Sequence, residues 1–473
     1  MGEASELPPD PFVSFAGQVV QPDPARSRPL RVGVVLAAGR SERLASVTGG
    51  GSTALLRLGG LSLVERAVWS LLAAGLERVL VVVGHDAGPV ATVVGRLGRG
   101  RVRVVYADRW ADGRGASLAA VQVEVEGEVE GEALFVLVTA DHVVGEGGLE
   151  QLLAAGEPAV LIDPAPGTLA WAEGTRVRVV DQAVVAFGKH LDEPAIDCGA
   201  FLLPPEVFER QRQAASEGDH TLAGAVTRLA QTHPLRAVAI PAGCWWHDVE
   251  TPQDVLAARG ALRRSLGKHA DGPVSRWLNR PLSTRLSMLL APLRPSPDLV
   301  SLVAFALNLA AAALLATGQG LAGGLLVHAS SVADGVDGEL ARLQFRSGRG
   351  ALLDGLLDRV GDAAILAGVG LWALNGHGPR GVLVWTVAAT AGALLSMASK
   401  DRAAALGLPP APERALGWLL GGRDGRLLLV AVGALLGAPL ATLVAVTATS
   451  ALSLSLRVAF LRRPPATYRQ DPQ

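Results

Sequence analysis

The chain has 473 residues, of which 49% are hydrophobic and 18% are charged, and its net charge at pH 7 is −1. Because soluble domains average about 25% charged residues, this composition favours a membrane protein or a soluble domain joined to a membrane domain. It excludes a disordered or nucleic-acid-coating chain, since such chains carry a high net charge and few apolar residues. The two cysteines are too few for a disulfide framework.

The first half of the sequence predicts a folded α/β domain. Residues 1–30 are rich in proline and lack the basic and apolar regions of a signal peptide, so we expect a flexible tail. From 31 to 262, strand-like runs such as 31–36, 79–83 and 134–138 alternate with helical stretches. This alternation predicts a Rossmann-like domain, with a parallel sheet and helices on both faces.

Four segments of this domain carry residues suited to nucleotide chemistry. A loop of small residues follows the first strand and opens a helix, where backbone N–H groups bind phosphate well. Asp141 and Asp248 lie at predicted strand ends, and Ser117 lies in a further glycine-containing loop. Two carboxylates at strand ends suit one Mg²⁺ held against an α-phosphate, as nucleotidyl transfer requires. The loop residues expected to contact the nucleotide are Ala38, Gly39 and Arg40.

Together these motifs resemble the sugar-phosphate nucleotidyltransferase family, which couples a nucleoside triphosphate to a phosphorylated alcohol. The resemblance implies that Asp141 and Asp248 bind metal and that Ser117 contacts the base. A later segment resembles the acceptor side of inositol-phosphate cytidylyltransferases, which implies that Lys189 binds the acceptor phosphate and Asp197 a hydroxyl. A plain surface lysine and a turn aspartate are equally compatible with those two residues.

One position departs from the family pattern. Its members usually carry a lysine shortly after the glycine loop, where this chain has Thr53. Either Arg40 or Arg43 therefore substitutes for that lysine, and we assign Arg43 to the catalytic residues, or the domain is inactive. An inactive domain would be a nucleotide-binding regulatory module.

The second half predicts an all-α transmembrane domain at 296–463, followed by a tail at 464–473. In the preceding linker, 263–295, apolar and basic residues interleave over 274–290, which suits an amphipathic helix at a membrane interface. Basic residues alternate between the loops, which predicts a multi-pass protein with both termini on the cytoplasmic side. Its six predicted spans are 299–316, 320–341, 351–374, 381–399, 425–438 and 440–461, the fifth being short.

Four aspartates interrupt the second and third predicted spans. Asp334 and Asp337 lie on the second, and Asp354 and Asp358 lie on the third. Spacings of three and four place each pair on one helical face. Charges inside spans are costly and usually functional. Two Mg²⁺ or Mn²⁺ ions would compensate these carboxylates and suit an in-line displacement at phosphorus, whereas a structural ion-pair network would remain unbalanced.

This pattern resembles the signature of the CDP-alcohol phosphotransferase family, whose six membrane helices transfer a phosphoalcohol from a CDP-alcohol to a hydroxyl and release CMP. The resemblance implies that Asp334, Asp337 and Asp354 bind metal. It also implies that Asp358 completes the second metal site and acts as general base on the acceptor hydroxyl. The signature residues expected to approach the nucleotide and its phosphates are Gly338, Ala341 and Arg342.

The order of the two domains resembles the family of bifunctional enzymes of di-inositol phosphate synthesis. The segment 275–280 adds to that resemblance, and we expect its Arg280 to bind substrate. The resemblance implies that CTP and inositol 1-phosphate give CDP-inositol, whose phosphoinositol then passes to a second inositol 1-phosphate. The products would be di-myo-inositol phosphate phosphate and CMP.

The same resemblance implies two metal ions in the membrane domain and at least one, Mg²⁺ or Mn²⁺, in the cytosolic domain. We further expect a homodimer in the cell membrane, with both active sites on the cytoplasmic side and no nucleic-acid partner. The alternative is a lipid synthase that uses CDP-diacylglycerol, in which the first domain is a degenerate nucleotide-binding module.

Overall fold

The chain divides into two units, Met1–Leu262 and Arg263–Gln473. A computed structural model describes residues 32–129, 133–268, 271–346, 349–406 and 420–461, together with Trp418. Both predicted tails, 1–30 and 464–473, lie outside the described residues.

The first unit is built on a nine-stranded sheet of order β5-β4-β1-β6-β11-β8-β12-β10-β9, and β13-β7 and β2-β3 form two small sheets. The strands are β1 Val32–Ala37, β2 Arg57–Leu58, β3 Leu61–Ser62, β4 Arg78–Val83, β5 Val102–Tyr106, β6 Phe135–Thr139, β7 His142–Val144, β8 Ala159–Asp163, β9 Arg176–Val180, β10 Ala183–Gly188, β11 Ile196–Leu203, β12 Leu235–Ala239 and β13 Trp246–Asp248.

The predicted parallel pairing holds for β5-β4-β1-β6 and for β8 with β12, whereas the other pairings of this sheet are antiparallel. Strand β1 pairs in parallel with β4 and β6, and β4 pairs in parallel with β5. Strand β11, however, runs antiparallel to both β6 and β8. A strand that is buried on both faces is apolar in either direction, so its sequence pattern does not reveal which way it runs.

Helices cover both faces of the sheet, as predicted. Side chains alternate along β1: Val34 faces a core completed by α4, α5, α8 and α9, whereas Val35 faces one completed by α2, α3 and α6. The helices of this unit are α1 Ala45–Thr48, α2 Leu63–Ala73, α3 Ala87–Val94, α4 Arg114–Ala119, α5 Gln122–Glu128, α6 Gly148–Leu153, α7 Thr168–Glu173, α8 Val207–Ser216, α9 Leu222–Ala230 and α10 Pro252–Ser265.

The second unit is helical. Three of its described helices, Pro297–Ala316, Pro379–Ala405 and Pro439–Phe460, are long and apolar enough to cross a membrane by length and composition. The helix at the fifth predicted span has 13 residues, fewer than the roughly 20 that a span needs. Six spans therefore remain a prediction. The helices are α11 Arg280–Leu290, α12 Pro297–Ala316, α13 Gly320–Leu343, α14 Arg349–Ala373, α15 Pro379–Ala405, α16 Arg423–Leu435 and α17 Pro439–Leu461.

Small residues let the helices of this unit approach closely. Helix α12 packs against α13 and α14, and α13 also packs against α16. A Cβ atom added to Gly368 of α14 would lie 2.4 Å from the carbonyl oxygen of Ala312 on α12. Glycine at this crossing therefore sets the spacing between α12 and α14.

Helix α11 has a polar face inside and an apolar face outside. The hydroxyls of Ser283 and Ser287 each donate to the fully buried carboxylate of Glu339 on α13, at 2.6 Å. The exposed large apolar residues of α11 are Leu282, Leu286 and Leu289. This arrangement matches the amphipathic helix predicted within 274–290, and its location at a membrane interface stays a prediction.

Candidate active sites

The first candidate site lies where β6 ends and β7 and β13 pair. Asp141 and His142 follow β6, and Asp248 is the last residue of β13. The antiparallel pairing of β13 with β7 sets Asp248 directly opposite His142. One side-chain ligand atom from each of these three residues lies within 4.8 Å of the others. The structure therefore brings together the two predicted metal ligands.

His142 lies between the two acids and is held on several sides. Its Nδ1 lies 2.8 Å from Thr139 Oγ1 and 3.0 Å from Asp141 Oδ1, and its Nε2 lies 3.8 Å from Asp248 Oδ2. Its ring stacks on Trp246 with centroids 5.9 Å apart. Gly199, at φ +71°, makes room for the ring, because a Cβ atom there would lie 2.4 Å from it.

The two acids differ in their electrostatic surroundings. Burial raises the pKa of Asp248 to about 7, although the His142 imidazole acts in the opposite direction. Burial also acts to raise the pKa of Asp141, but the Arg114 guanidinium and His142 outweigh it and hold that pKa well below its usual range. Burial lowers the pKa of His142, yet the carboxylates of Asp248 and Asp141 more than offset this and raise it to about 9.

A divalent cation fits this site. Asp248 Oδ1 is buried and has no hydrogen-bond partner among the described residues, so it is a carboxylate oxygen in need of a cation. An Asp141 oxygen lies within reach of the same position. Carboxylate oxygens suit Mg²⁺ and Mn²⁺.

The predicted nucleotide loop is only partly open to ligand. Ala38 is buried, whereas Gly39 and Arg40 are exposed. Arg43 is half exposed and already contacts two carboxylates, those of Glu173 (Nη1–Oε2, 3.0 Å) and Glu250. Thus Arg43 is paired with acids in this structure.

The other predicted residues of this domain differ in placement. Ser117 is buried, and its hydroxyl donates to the Gly113 carbonyl oxygen at 3.4 Å. Asp197 is buried in β11, its Oδ1 accepts from the Gly199 amide at 2.9 Å, and burial raises its pKa. Lys189 is exposed, and its ammonium has no ion pair within the described part of the chain. Of these three residues, only Asp197 is linked to the acid cluster: it accepts a hydrogen bond from Gly199, and Gly199 lies against the His142 ring.

Sequence reasoning missed Arg114, and it left open whether His142 contacts the predicted metal ligands or only packs beside them. Arg114 forms an ion pair with Asp141, and His142 contacts Asp141 and faces Asp248. Both signals were in the sequence, because a cation stands between two glycines of the Ser117 loop and His142 directly follows a predicted metal ligand. The directions of the Arg114 and His142 side chains depend on how distant segments pack together. The Arg114 loop contacts His220, and the His142 strand pairs with β13. A sequence motif does not specify such contacts.

The second candidate site lies between α13 and α14. One carboxylate oxygen from each of Asp334, Asp354 and Asp358 lies within 4.8 Å of the others. Asp337 is buried beside them, and its Oδ2 accepts from the Ser301 hydroxyl of α12 at 2.5 Å. All four predicted ligands are therefore on neighbouring faces, as their spacing requires.

Arg423, the first residue of α16, is a site residue that sequence reasoning missed. Its guanidinium nitrogens lie 2.6 Å from Asp334 Oδ2, 2.9 Å from Asp358 Oδ1 and 3.2 Å from Asp362 Oδ1. One guanidinium among three carboxylates, with Asp354 close by, leaves the cluster net negative. This all-oxygen, net-negative donor set fits divalent cations such as Mg²⁺ or Mn²⁺.

The remaining predicted residues of this unit differ in their contacts. Arg280 is paired with Asp271 (Nε–Oδ2, 2.7 Å) and with Glu339 (Nη1–Oε1, 2.7 Å), so its observed contacts are with protein carboxylates. Arg342 Nη2 donates to the Leu266 carbonyl oxygen at 2.5 Å. Two small residues, Gly338 and Ala341, lie on the same helix. A Cβ atom on Gly338 would meet only Arg342 Nη1, at 3.6 Å.

Comparison with known proteins assigns each unit to a family. Residues 33–191 match the family model of the MobA-like NTP transferase domain, and residues 295–461 match that of CDP-alcohol phosphatidyltransferase. Together with the fold and the two acid clusters, these matches define a transferase that joins a nucleotidyltransferase domain to a CDP-alcohol phosphatidyltransferase domain.

The curated relatives cover both domains. A protein of Rubrobacter xylanophilus named "Bifunctional IPC transferase and DIPP synthase" is 39% identical over 436 residues, which are 91% of this chain and 96% of that protein. A protein of the same name from Thermococcus kodakarensis is 32% identical over 71% of this chain and 74% of its own length. The chain therefore belongs to the family of bifunctional IPC transferases and DIPP synthases.

A further relative matches a shorter part of the chain. The phosphatidylinositol phosphate synthase of Mycobacteroides abscessus is 36% identical over 142 residues, which are 30% of this chain and 62% of that protein.

Proposed function

We propose that the first unit makes CDP-inositol from CTP and inositol 1-phosphate, and that the second unit consumes it. In the second step, phosphoinositol passes to another inositol 1-phosphate, giving di-myo-inositol phosphate phosphate and CMP. The observation that carries this proposal is the presence of two separate acid clusters in one chain, one in each unit. A relative named bifunctional IPC transferase and DIPP synthase aligns over both units, which supports the proposal.

In the first reaction, a phosphate oxygen of inositol 1-phosphate bonds to the α-phosphorus of CTP, and pyrophosphate leaves. Asp141 and Asp248 would hold at least one Mg²⁺, which neutralises phosphate charge when bound. His142 positions both carboxylates through the contacts described above. The exposed backbone at Gly39 is available to the triphosphate, and Asp197 is the candidate for an inositol hydroxyl.

In the second reaction, a hydroxyl of the acceptor bonds to the phosphorus that carries inositol, and the bond to CMP breaks. Asp334, Asp337, Asp354 and Asp358 would hold two divalent ions, which stabilise the charge on the transferred phosphate. Asp358 accepts the hydroxyl proton. Arg423 orients Asp358, because it binds that carboxylate and Asp334 together.

Two buried arginines support a phosphorylated acceptor. Arg426 lies in α16 with only 4% of its surface exposed, and its Nη2 has no hydrogen-bond partner among the described residues. Arg457 of α17 is 3% exposed, and its Nη1 donates to the Ser396 carbonyl oxygen and the Ser399 hydroxyl, both at 2.7 Å. Buried guanidinium groups suit an anionic ligand such as phosphate.

The proposal places the enzyme in a membrane. The three apolar helices Pro297–Ala316, Pro379–Ala405 and Pro439–Phe460 support this. We propose six spans, both termini and both active sites on the cytoplasmic side, and a homodimer. Fusing a fluorescent reporter to the carboxyl terminus and testing its access to an external quencher checks the sidedness.

A product analysis tests the proposed reactions. The full chain in liposomes is given CTP, Mg²⁺ and inositol 1-phosphate, and mass spectrometry follows the products. Asp141→Asn should abolish CDP-inositol yet still convert added CDP-inositol, whereas Asp358→Asn should accumulate CDP-inositol. Matched controls are Asp112→Asn and Asp401→Asn, which remove carboxylates from surface ion pairs. Absence of both CDP-inositol and di-inositol product from the unmodified protein would contradict the proposal.

The lipid-synthase alternative is favoured by one observation, the 36% identity over 142 residues to a phosphatidylinositol phosphate synthase. Adding CDP-diacylglycerol to the same liposomes with labelled inositol 1-phosphate separates the two. The label should stay in the aqueous phase, and label in the chloroform phase would favour the lipid product. If the first unit is only regulatory, it binds CTP without releasing pyrophosphate.

A further inference from the structure

The backbone around Arg114 is fixed against a neighbouring loop. The Gly115 amide donates to the His220 carbonyl oxygen at 2.8 Å. A Cβ atom on Gly113 or on Gly115 would lie 2.6 Å from that same oxygen, and Gly113 has φ +140°. A glycine is therefore required on each side of Arg114. Together the two glycines fix the position of the Arg114 backbone.

The Arg114 side chain reaches the metal-site acids and remains accessible. Its guanidinium pairs with Asp141, and the carboxylates of Asp248 and Glu250 lie close enough to act on its charge. Its side chain is 44% exposed, so a ligand that enters beside Asp141 can contact it. A guanidinium in this place attracts the oxygens of a phosphate group.

Among the described residues, the cations predicted for this role have no ion pair with Asp141 or Asp248. Arg43 is paired instead with the carboxylates of Glu173 and Glu250. Arg40 is exposed, and it has no ion pair among the residues that the structure describes. Position 53 carries no charge, because Thr53 is a buried threonine.

We propose that Arg114 binds the phosphates of the nucleoside triphosphate and neutralises the charge that develops on the leaving pyrophosphate. This rests on the proposed nucleotidyl transfer. As an oxygen of the acceptor phosphate bonds to the α-phosphorus, the bond from that phosphorus to the bridging oxygen breaks. The electron pair stays on pyrophosphate, and the planar guanidinium donates two N–H groups to its oxygens.

Three substitutions separate this role from a structural one. Arg114→Lys keeps the charge, Arg114→Gln keeps hydrogen-bond donors toward Asp141 without charge, and Arg114→Met keeps only the apolar stem. The control is Arg109→Met, which removes an exposed arginine paired with Asp112 in the same part of the chain. Pyrophosphate release by the full chain, with CTP and inositol 1-phosphate, is the readout.

We expect Arg114→Met and Arg114→Gln each to lower kcat about a hundredfold, the usual effect of removing one donor to developing charge. Arg114→Lys should recover at least tenfold of that loss, and Arg109→Met should match the unmodified protein. Wild-type turnover by Arg114→Gln would overturn the proposal, because it would show that Arg114 only holds Asp141. Equal loss in all three variants at position 114 would also overturn it.

Binding distinguishes a failure of this inference from a failure of the proposed function. Equilibrium dialysis of CTP against the full chain, without divalent metal, should show at least tenfold weaker binding to Arg114→Met than to the unmodified protein. If the unmodified protein binds CTP but releases no pyrophosphate, the function fails and the binding comparison still tests Arg114. Unchanged binding and turnover in Arg114→Met would overturn the inference alone. Conversion of added CDP-inositol, together with an unchanged unfolding midpoint, verifies that each variant is folded.

Discussion

At the scale of single residues, Arg423 pairs with three carboxylates of the second site. Its guanidinium contacts carboxylates from both α13 and α14, and it stands at the first position of α16. The four aspartates could be predicted from their spacing alone, because a helix places residues three and four apart on one face. Arg423 could not be chosen among the many arginines of the sequence, since its role depends on how a distant helix packs.

Replacing Arg423 tests this role. Arg423→Met leaves the carboxylates of Asp334 and Asp358 without their cation, and breaking a buried pair costs about 3–5 kcal/mol. We expect a lower unfolding midpoint of the second unit in metal chelator, and a larger rise of that midpoint on adding Mg²⁺ than in the unmodified protein. Arg359→Met, which breaks a more exposed pair with Asp401, is the control. An unchanged midpoint in chelator would show that Arg423 does not hold the cluster together.

Gly199 offers a second test at this scale, in the first site. Gly199→Ala combines the cost of a left-handed backbone, about 1–2 kcal/mol, with a Cβ atom 2.4 Å from the His142 ring. We expect CDP-inositol formation to fall at least tenfold, because His142 must move away from Asp141. Gly218→Ala is the matched control: its φ is +84° and a Cβ atom there meets nothing within 4 Å. It should lose stability without losing kcat, and equal losses of activity would argue against a role for the His142 position.

At the scale of elements, the sequence pattern predicted which segments are strands and helices better than it predicted their pairing. Strand-like runs and the amphipathic segment 274–290 were recognised from periodicity. The antiparallel direction of β11 and the hydrogen bonds from α11 to Glu339 were not, because both depend on contacts between segments far apart in the chain. Glu339 can be buried because Ser283 and Ser287 of α11 donate hydrogen bonds to its carboxylate. Nothing in the sequence marks these two serines as its partners.

The crossing of α12 and α14 gives a prediction for a whole element. Gly368→Ala places a Cβ atom 2.4 Å from the Ala312 carbonyl oxygen, so the two helices must separate and α14 moves with Asp354 and Asp358. We expect phosphoinositol transfer from added CDP-inositol to fall at least tenfold. Gly381→Ala in α15, where a Cβ atom meets nothing within 4 Å, should leave the rate unchanged. Similar rates for both variants would contradict the close crossing.

Glu339 gives a further prediction about how α11 is attached. Glu339→Ala removes the acceptor of Ser283, Ser287 and Arg280, and loss of one partner of a buried charged pair costs about 3–5 kcal/mol. We expect faster proteolysis of the 263–295 segment and a lower unfolding midpoint. Ser287→Ala removes one donor and should cost about 1–3 kcal/mol. A Glu339→Ala protein as resistant to protease as the unmodified one would show that α11 is held by other contacts.

At the scale of the whole molecule, the chain contains two units with separate cores and separate acid clusters. The proposed product of the first reaction is the substrate of the second, so the two sites need only exchange a soluble intermediate. Whether the intermediate travels through solution can be tested by mixing two proteins, one with the first site inactivated and the other with the second.

A mixture of Asp141→Asn and Asp358→Asn proteins should make di-inositol product from CTP and inositol 1-phosphate, although neither variant does so alone. The rate should rise with the concentration of each protein, because CDP-inositol travels through solution. If the mixture forms no product while each variant completes its remaining step, the intermediate passes only within one molecule. Mass spectrometry of CDP-inositol and of the final product measures both.

The division of the chain at Leu262 also bears on how the protein is made. At the usual rate of synthesis, about 5–20 residues per second, domains fold as units with the amino-terminal one first. The α/β unit is complete before the first apolar helix begins at Pro297, so at that rate it has about 2–7 seconds to fold before the helix follows. In the proposed membrane enzyme, the apolar helices would then meet the bilayer with a folded domain already attached to them.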